Sequence, residues 1–343
     1  MTERLGRRSV LKGLAAVPVV LAAGGCAQRH STTPPGVLNI GQISNSVAFL
    51  PLFVAEKNGY FTQEGITLGD RPRLGTGAKV AAALKSGSVD LGAGVITDAF
   101  NLGKIDEGMR IVSSLVTEYY VDIVVPPWFR GPTDSAPIEQ KIAALVGKSI
   151  GITGPASGTE ALVTYLFRSI GRNATTDSTL VNLGSATTSA IGALKSRRVD
   201  ALAFFQPIAQ QAAAAKVGSV YISPARGDVP SLRGALHGVV FSTKKLLDRK
   251  HDELAGFQRA MQRALDDIHG DPKKARALLG AYLKDSNPAA LDALVPILAK
   301  EVPASPAVER GPYDIALKFH LDSGLIKKGP EYAAVVRDLP PLA

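Results

Sequence analysis

The sequence predicts an α/β protein built as two similar lobes, each a mostly parallel sheet flanked by helices. Residues 83–90 read ALKSGSVD and residues 193–200 read ALKSRRVD, six identities in eight positions at an offset of 110. The same offset lays Ile40-Gly41 over Ile150-Gly151, so 39–94 and 149–204 read as two copies of one unit. Each copy joins a helix to a short apolar strand, Val89 to Val95 and Ala201 to Phe205. Short apolar strands alternating with helices are the pattern of parallel sheets covered on both faces. Two copies are too few for a stacked repeat array, which needs at least three, so the copies are read as lobes.

Taken in order, the chain opens with Arg7-Arg8-Ser9-Val10-Leu11-Lys12, a twin-arginine export pattern. The apolar run from Leu14 to Ala23 is too short to span a bilayer, which takes about 20 residues. Gly24-Gly25-Cys26 resembles the end of a bacterial lipoprotein signal, with Ala23 where leucine is usual. Residues 1–25 are therefore read as an export signal and 26–36 as a flexible tether carrying lipid on Cys26, so that the protein works on the outer or periplasmic face of the cell membrane. Cys26 is the single cysteine, which rules out an intrachain disulfide.

Val37 to Ile43 is the first strand. Pro51 suits the first turn of a helix that stops at Asn58-Gly59. Ile66 to Leu68 is a second strand. Gly75-Thr76-Gly77 leads into the first repeated helix, and Gly87 suits its left-handed end. Thr97-Asp98 is read as the cap of a helix from Ala99 to Lys104. Strands follow at Ile111 to Val116 and Val121 to Val125, and Pro126-Pro127-Trp128 breaks the pattern. The second lobe opens with a helix from Ile138 to Val146 and a strand from Ser149 to Thr153. Ser157 and Glu160 form a capping box at the head of the next helix. Arg197 and Arg198 end the second repeated helix, where cations are favourable and solvated. Gln206-Pro207 starts an Ala-rich helix, and strands follow at Val217 to Ile222 and Leu236 to Ser242. From Thr243 on the chain is mostly helical, and its last helices are expected on the first lobe. The first lobe is thus 37–125 with 238–343, and the second is 126–237. Val121 to Pro127 and Leu236 to Val240 are the expected crossings.

The segment Phe49 to Leu68, with Lys57-Asn58-Gly59-Tyr60-Phe61-Thr62-Gln63-Glu64-Gly65 at its centre, resembles the nitrate/sulfonate/taurine and thiamine-precursor group of solute-binding proteins. Gly147 to Gly151, Gly154 to Glu160 and Val199-Asp200-Ala201 with Gln206-Pro207 resemble later motifs of the same group. The resemblance implies a periplasmic-binding-protein type II fold, two lobes with the ligand between them, and a membrane permease of an ABC importer as partner. Ligands in open α/β sheets sit outside the carboxyl ends of the strands. The loops so placed offer Ser44, Asn45, Phe49, Thr76, Gly77, Thr97, Asp98, Ser157, Gly158, Thr159, Phe205 and Gln206, with Tyr119 and Tyr120 at the crossing.

Composition narrows the function. The formal charge is +9; residues 1–25 hold four cations and one anion, leaving about +6. No run of five like charges exists, so nucleic-acid binding has no support. Catalytic signatures such as G-x-S-x-G, H-E-x-x-H and the phosphate loop are absent. His30, His237, His251, His269 and His320 are scattered, without metal-ligand spacing, so neither metal nor cofactor is expected. The expectation is a monomeric binder rather than an enzyme; the alternatives are a pyrimidine-synthesis-type enzyme, whose cysteine-rich motif is missing, or a ligand sensor. No candidate loop holds Arg or Lys, which disfavours an anion gripped by a bidentate fork. Sulfonate, nitrate, a taurine-like solute and a pyrimidine or other aromatic amine all stay open.

Overall fold

The computed structural model describes residues 33–284 and 286–336. The twin-arginine pattern and Cys26 lie outside them. The strands are β1 (Val37–Leu38), β2 (Ile40–Gln42), β3 (Thr67–Leu68), β4 (Leu91–Val95), β5 (Met109–Val116), β6 (Val121–Val125), β7 (Ser149–Ile152), β8 (Thr179–Asn182), β9 (Ala201–Phe205), β10 (Ser219–Ile222) and β11 (Gly238–Thr243). They form a four-stranded sheet in the order β2-β4-β11-β5 and a five-stranded sheet in the order β10-β6-β9-β7-β8. The short parallel pair β1 and β3 continues the first sheet beyond β2, where Ile40 N–H donates to Asp70 O and Gln42 N–H to Pro72 O.

Each sheet is parallel except for one strand next to its edge. β11 runs antiparallel to β4 and β5, and β6 runs antiparallel to β9 and β10. The reversed strand is the first one after a passage between the sheets: β6 follows β5 in sequence, and β11 follows β10. The segments passing between the sheets are therefore 117–120 and 223–237. The expected crossings, 121–127 and 236–240, lie one strand too late at the first passage, because Val121–Val125 pairs with Phe205 to Leu202 in the five-stranded sheet.

The repeat has a physical cause at its last residue. Asp90 accepts the Asn39 N–H at 2.9 Å, and Asp200 accepts the Ser149 N–H at 2.9 Å. Each carboxylate ties the head of its own strand to the head of the parallel strand beside it, β2 in the first sheet and β7 in the second. The helices before them, Gly77–Ser86 and Thr187–Lys195, both end in a left-handed residue: Gly87 at φ +73° and Arg197 at φ +61°. A side chain in that conformation costs roughly 1–2 kcal/mol. The exposed Arg197 guanidinium lies 4.8 Å over the Trp128 ring, a contact worth about 0.5–1 kcal/mol at such a site.

One buried cluster runs through both sheets, from Leu38 to Phe319. A second covers the other face of the first sheet, with Val80, Leu84, Ile96, Phe100, Phe241 and Tyr313. β11 alternates between them: Val239 and Phe241 face the second, Val240 the first. The helix His251–Gly270 packs on Leu50–Lys57, with Phe257 stacked on Phe61 at 5.6 Å. The later helices do not all stay on the first sheet: Pro288–Glu301 packs on Ile208–Ala214, and Arg310–Ser323 on Gly158–Ser169. No described helix is long and apolar enough to cross a membrane.

Candidate ligand-binding cleft

The carboxyl ends of the parallel strands of both sheets open onto one cavity of about 520 Å³. Ile43 after β2 and Val95 at the end of β4 line it from the first sheet; Thr153 after β7, Asn182 at the end of β8 and Phe205 at the end of β9 line it from the second. Two helix heads face each other across it. Thr76 caps Gly77–Ser86, its hydroxyl accepting the Lys79 N–H, and Ser157 caps Gly158–Ser169, its hydroxyl accepting the Glu160 N–H. Tyr120, Val121 and His237 close the back, where the chain passes between the sheets. Asn101 spans the walls, its Nδ2 donating to Ala156 O at 2.9 Å.

Of the residues expected from the sequence, Thr76, Gly77, Asp98, Ser157, Gly158, Thr159 and Phe205 line this cavity, as does Tyr120. The others are placed elsewhere. Phe49 is in the core. Ser44 is buried with its hydroxyl unpartnered, and its carbonyl accepts Gln42 Nε2 at 2.5 Å. Asn45 accepts from Arg73 Nε at 2.7 Å and lines a neighbouring cavity with Thr187, Pro207 and Tyr282. Tyr119 is buried behind the lining, donating to Gly158 O at 2.5 Å. Gln206 turns away and donates to Glu301 Oε1 at 2.9 Å.

Thr97 is a correction of another kind. The helix begins earlier than expected, at Ile96, so Thr97 lies inside its first turn and faces the core. His320 Nδ1 donates to Ala316 O at 2.7 Å, which leaves Nε2 to accept the Thr97 hydroxyl at 2.7 Å. The capping group is Asp98, whose Oδ2 accepts the Val95 N–H at 2.9 Å.

His237, Asn101 and Asn182 are lining residues missing from that set. Asn101 had a signal: three residues beyond Asp98 on one helix, it shares a face with it. His237 had a weaker one, its place beside the strand that crosses back, which does not by itself distinguish a ring in the cleft from the commoner one at the surface. It is 1% exposed, with its ring 4.0 Å from that of Tyr119 and 4.7 Å from that of Tyr120. Its Nδ1 has no partner. Burial, and then His320, lower its pKa to about 3, so the ring is neutral. Burial raises Asp98 to about 6 against the pull of the Val95 N–H. Among the described residues, no Lys or Arg lines the cavity, and no group of three or more His, Cys, Asp or Glu is placed to hold a metal ion.

Two α/β sheets of one topology, each with one reversed strand next to its edge and sharing a cavity at their strand ends, make this a periplasmic-binding-protein fold. The NMT1/THI5-like family model matches residues 46–275, more than half of the chain, and the chain belongs to that family. The alkanesulfonate-binding protein SsuA of Xanthomonas axonopodis pv. citri, bound to MOPS, is similar at a TM-score of 0.69 and 18% identity, over 89% of this chain and 99% of that one. The periplasmic aliphatic sulphonate-binding protein SsuA of Escherichia coli gives 0.65 and 16%, over 85% and 92%. The periplasmic nitrate-binding protein NrtA of Synechocystis PCC 6803 gives 0.58 and 14%, over 72% and 66%. No curated protein sequence matches the chain.

Proposed function

We propose that the chain is an extracytoplasmic solute-binding lipoprotein. It captures a small organic ligand or oxyanion between two lobes and delivers it, by lobe closure, to the membrane permease of an ABC importer. In this reading each sheet with its helices is one lobe, the segments 117–120 and 223–237 are the hinge, and the protein acts as a monomer. The observation that carries it is the cavity lined from the strand ends of both sheets. The sulfonate- and nitrate-binding proteins that share the fold support it. A ligand can close the lobes only by binding the closed form better than the open one. Contacts from both walls, Asp98 and Thr76 on one and Ser157 and Phe205 on the other, supply that difference.

Small-angle scattering tests closure. A thermal-shift screen over sulfonates, nitrate, pyrimidines and aromatic amines supplies the ligand, and the radius of gyration is expected to fall at saturation. The fall is expected to be larger in Asn101→Ala, which lacks the hydrogen bond joining the walls. An unchanged radius in both proteins rejects closure. The anchor has its own test: Cys26→Ser is expected to move the protein from the membrane to the soluble fraction, and unchanged membrane retention removes the lipid from the proposal.

A further inference from the structure

We propose that the cleft takes solutes with a protonated amine, or a comparable N–H donor head, on an apolar body, and that it turns away sulfonates and nitrate. The inference rests on reading the cavity as the ligand site. A helix head is a ready anion seat, since its first N–H groups lack intrahelical partners and carry partial positive charge. Two such heads line this cavity, and a carboxylate of the chain lies beside each. A Cβ on Gly77 would stand 1.8 Å from Asp98 Oδ1, so the Asp98 carboxylate lies directly against the first residue of Gly77–Ser86. Across the cleft, Glu160 Oε2 accepts the Ala156 N–H at 2.5 Å in the loop that leads into Gly158–Ser169.

The remaining lining adds no positive charge. Among the described residues it includes no Lys or Arg. His237, buried in the back wall with an unpartnered Nδ1, is the one ring that would offer a cation, and its low pKa keeps it neutral. An incoming anion would therefore meet Asp98 with no compensating charge beside it. A cationic or N–H donor head would find there a carboxylate that burial has stripped of water, the setting in which charge-assisted hydrogen bonds are strongest. Val95, Val121 and Phe205 give the body of such a solute an apolar bed.

Benzylamine and benzenesulfonate, the same ring with opposite head charges, separate the cases by calorimetry on the purified full chain. The amine is expected to bind at least tenfold more tightly than the sulfonate, and its affinity to fall as pH drops through about 6, where Asp98 takes up a proton. Asp98→Asn keeps an oxygen for the Val95 N–H and removes the charge. It is expected to weaken benzylamine at least tenfold and to strengthen benzenesulfonate. Tighter sulfonate binding by the unmodified protein, or benzylamine affinity unchanged in Asp98→Asn, overturns the charge assignment and leaves the binding-protein reading standing. Binding of neither probe, together with no contraction by any ligand in the scattering test, overturns both.

Discussion

Four side chains near the first passage between the sheets keep a buried oxygen without a partner: Glu118, Asp122, Gln206 and Glu301. Three of them are acids. Burial pushes Asp122 up to about 7, although Ser223 and Arg226 pull it down. Burial raises Glu301 well above its ordinary range, and Asp122 and Glu118 raise it further. A folded-state pKa above the unfolded one means that the native state holds a proton the unfolded chain has released. The associated stability is present below the unfolded pKa and is lost as pH rises through the folded one. For Asp122 the window runs from about 4 to about 7. Asp122→Asn is therefore expected to flatten the decline in melting temperature between pH 5 and pH 8. Parallel declines in the two proteins would show that Asp122 carries none of it. The sequence shows Glu118 and Asp122 flanking the two tyrosines. It gives no sign of Glu301, which reaches the segment 117–120 because Thr117 N–H donates to the Glu301 carbonyl at 2.9 Å.

At the scale of an element, the repeated Val-Asp pair is a clamp between two strand heads. Asp90 is buried and Asp200 partly so, and each accepts one strand N–H. Removing a charged acceptor and leaving its donor without a partner costs about 1–3 kcal/mol. Asp90→Ala and Asp200→Ala are each expected to cost that much in chemical denaturation, Asp90→Ala the more. The two clamps share no partner, so the double variant is expected to be additive within about 0.5 kcal/mol. Losses well below 1 kcal/mol would reduce the repeat to a sequence echo. These elements were legible because their signals are local: an Ala-rich helix, a left-handed turn, an aspartate and an apolar strand. Legibility failed at the next helix, where Thr97 and Asp98 look equally fit to cap. Only the path of the chain puts one on His320 and the other on Val95.

Across the whole molecule, the two-copy pattern predicted two sheets of one kind, and the structure has them. The misplaced first crossing has a simple reason. Val121–Val125 is mostly apolar, like the strands around it, and an apolar strand carries no mark of which sheet it joins. The cleft was half legible for a related reason. Residues at the heads of helices stand out in the sequence because strand ends and turns announce them, and those heads line the cavity. At the back only the tyrosines at the crossing stand out in the sequence, because a crossing draws its side chains from distant parts of the chain.

The place of β11 in the first sheet also sets an order of assembly. β5 pairs within the first sheet through β11, and β11 is made only after every strand of the second sheet. While the chain is being synthesised, β4 and β5 stand on either side of a gap that later residues must fill. Such long-range pairing is slow, because the loop must close before any contact rewards it, and unpaired strand edges invite association with other chains. Residues 121–222 carry every strand of the second sheet, so a cut at 117–120 would leave that sheet whole and β2, β4 and β5 without the β11 that joins them.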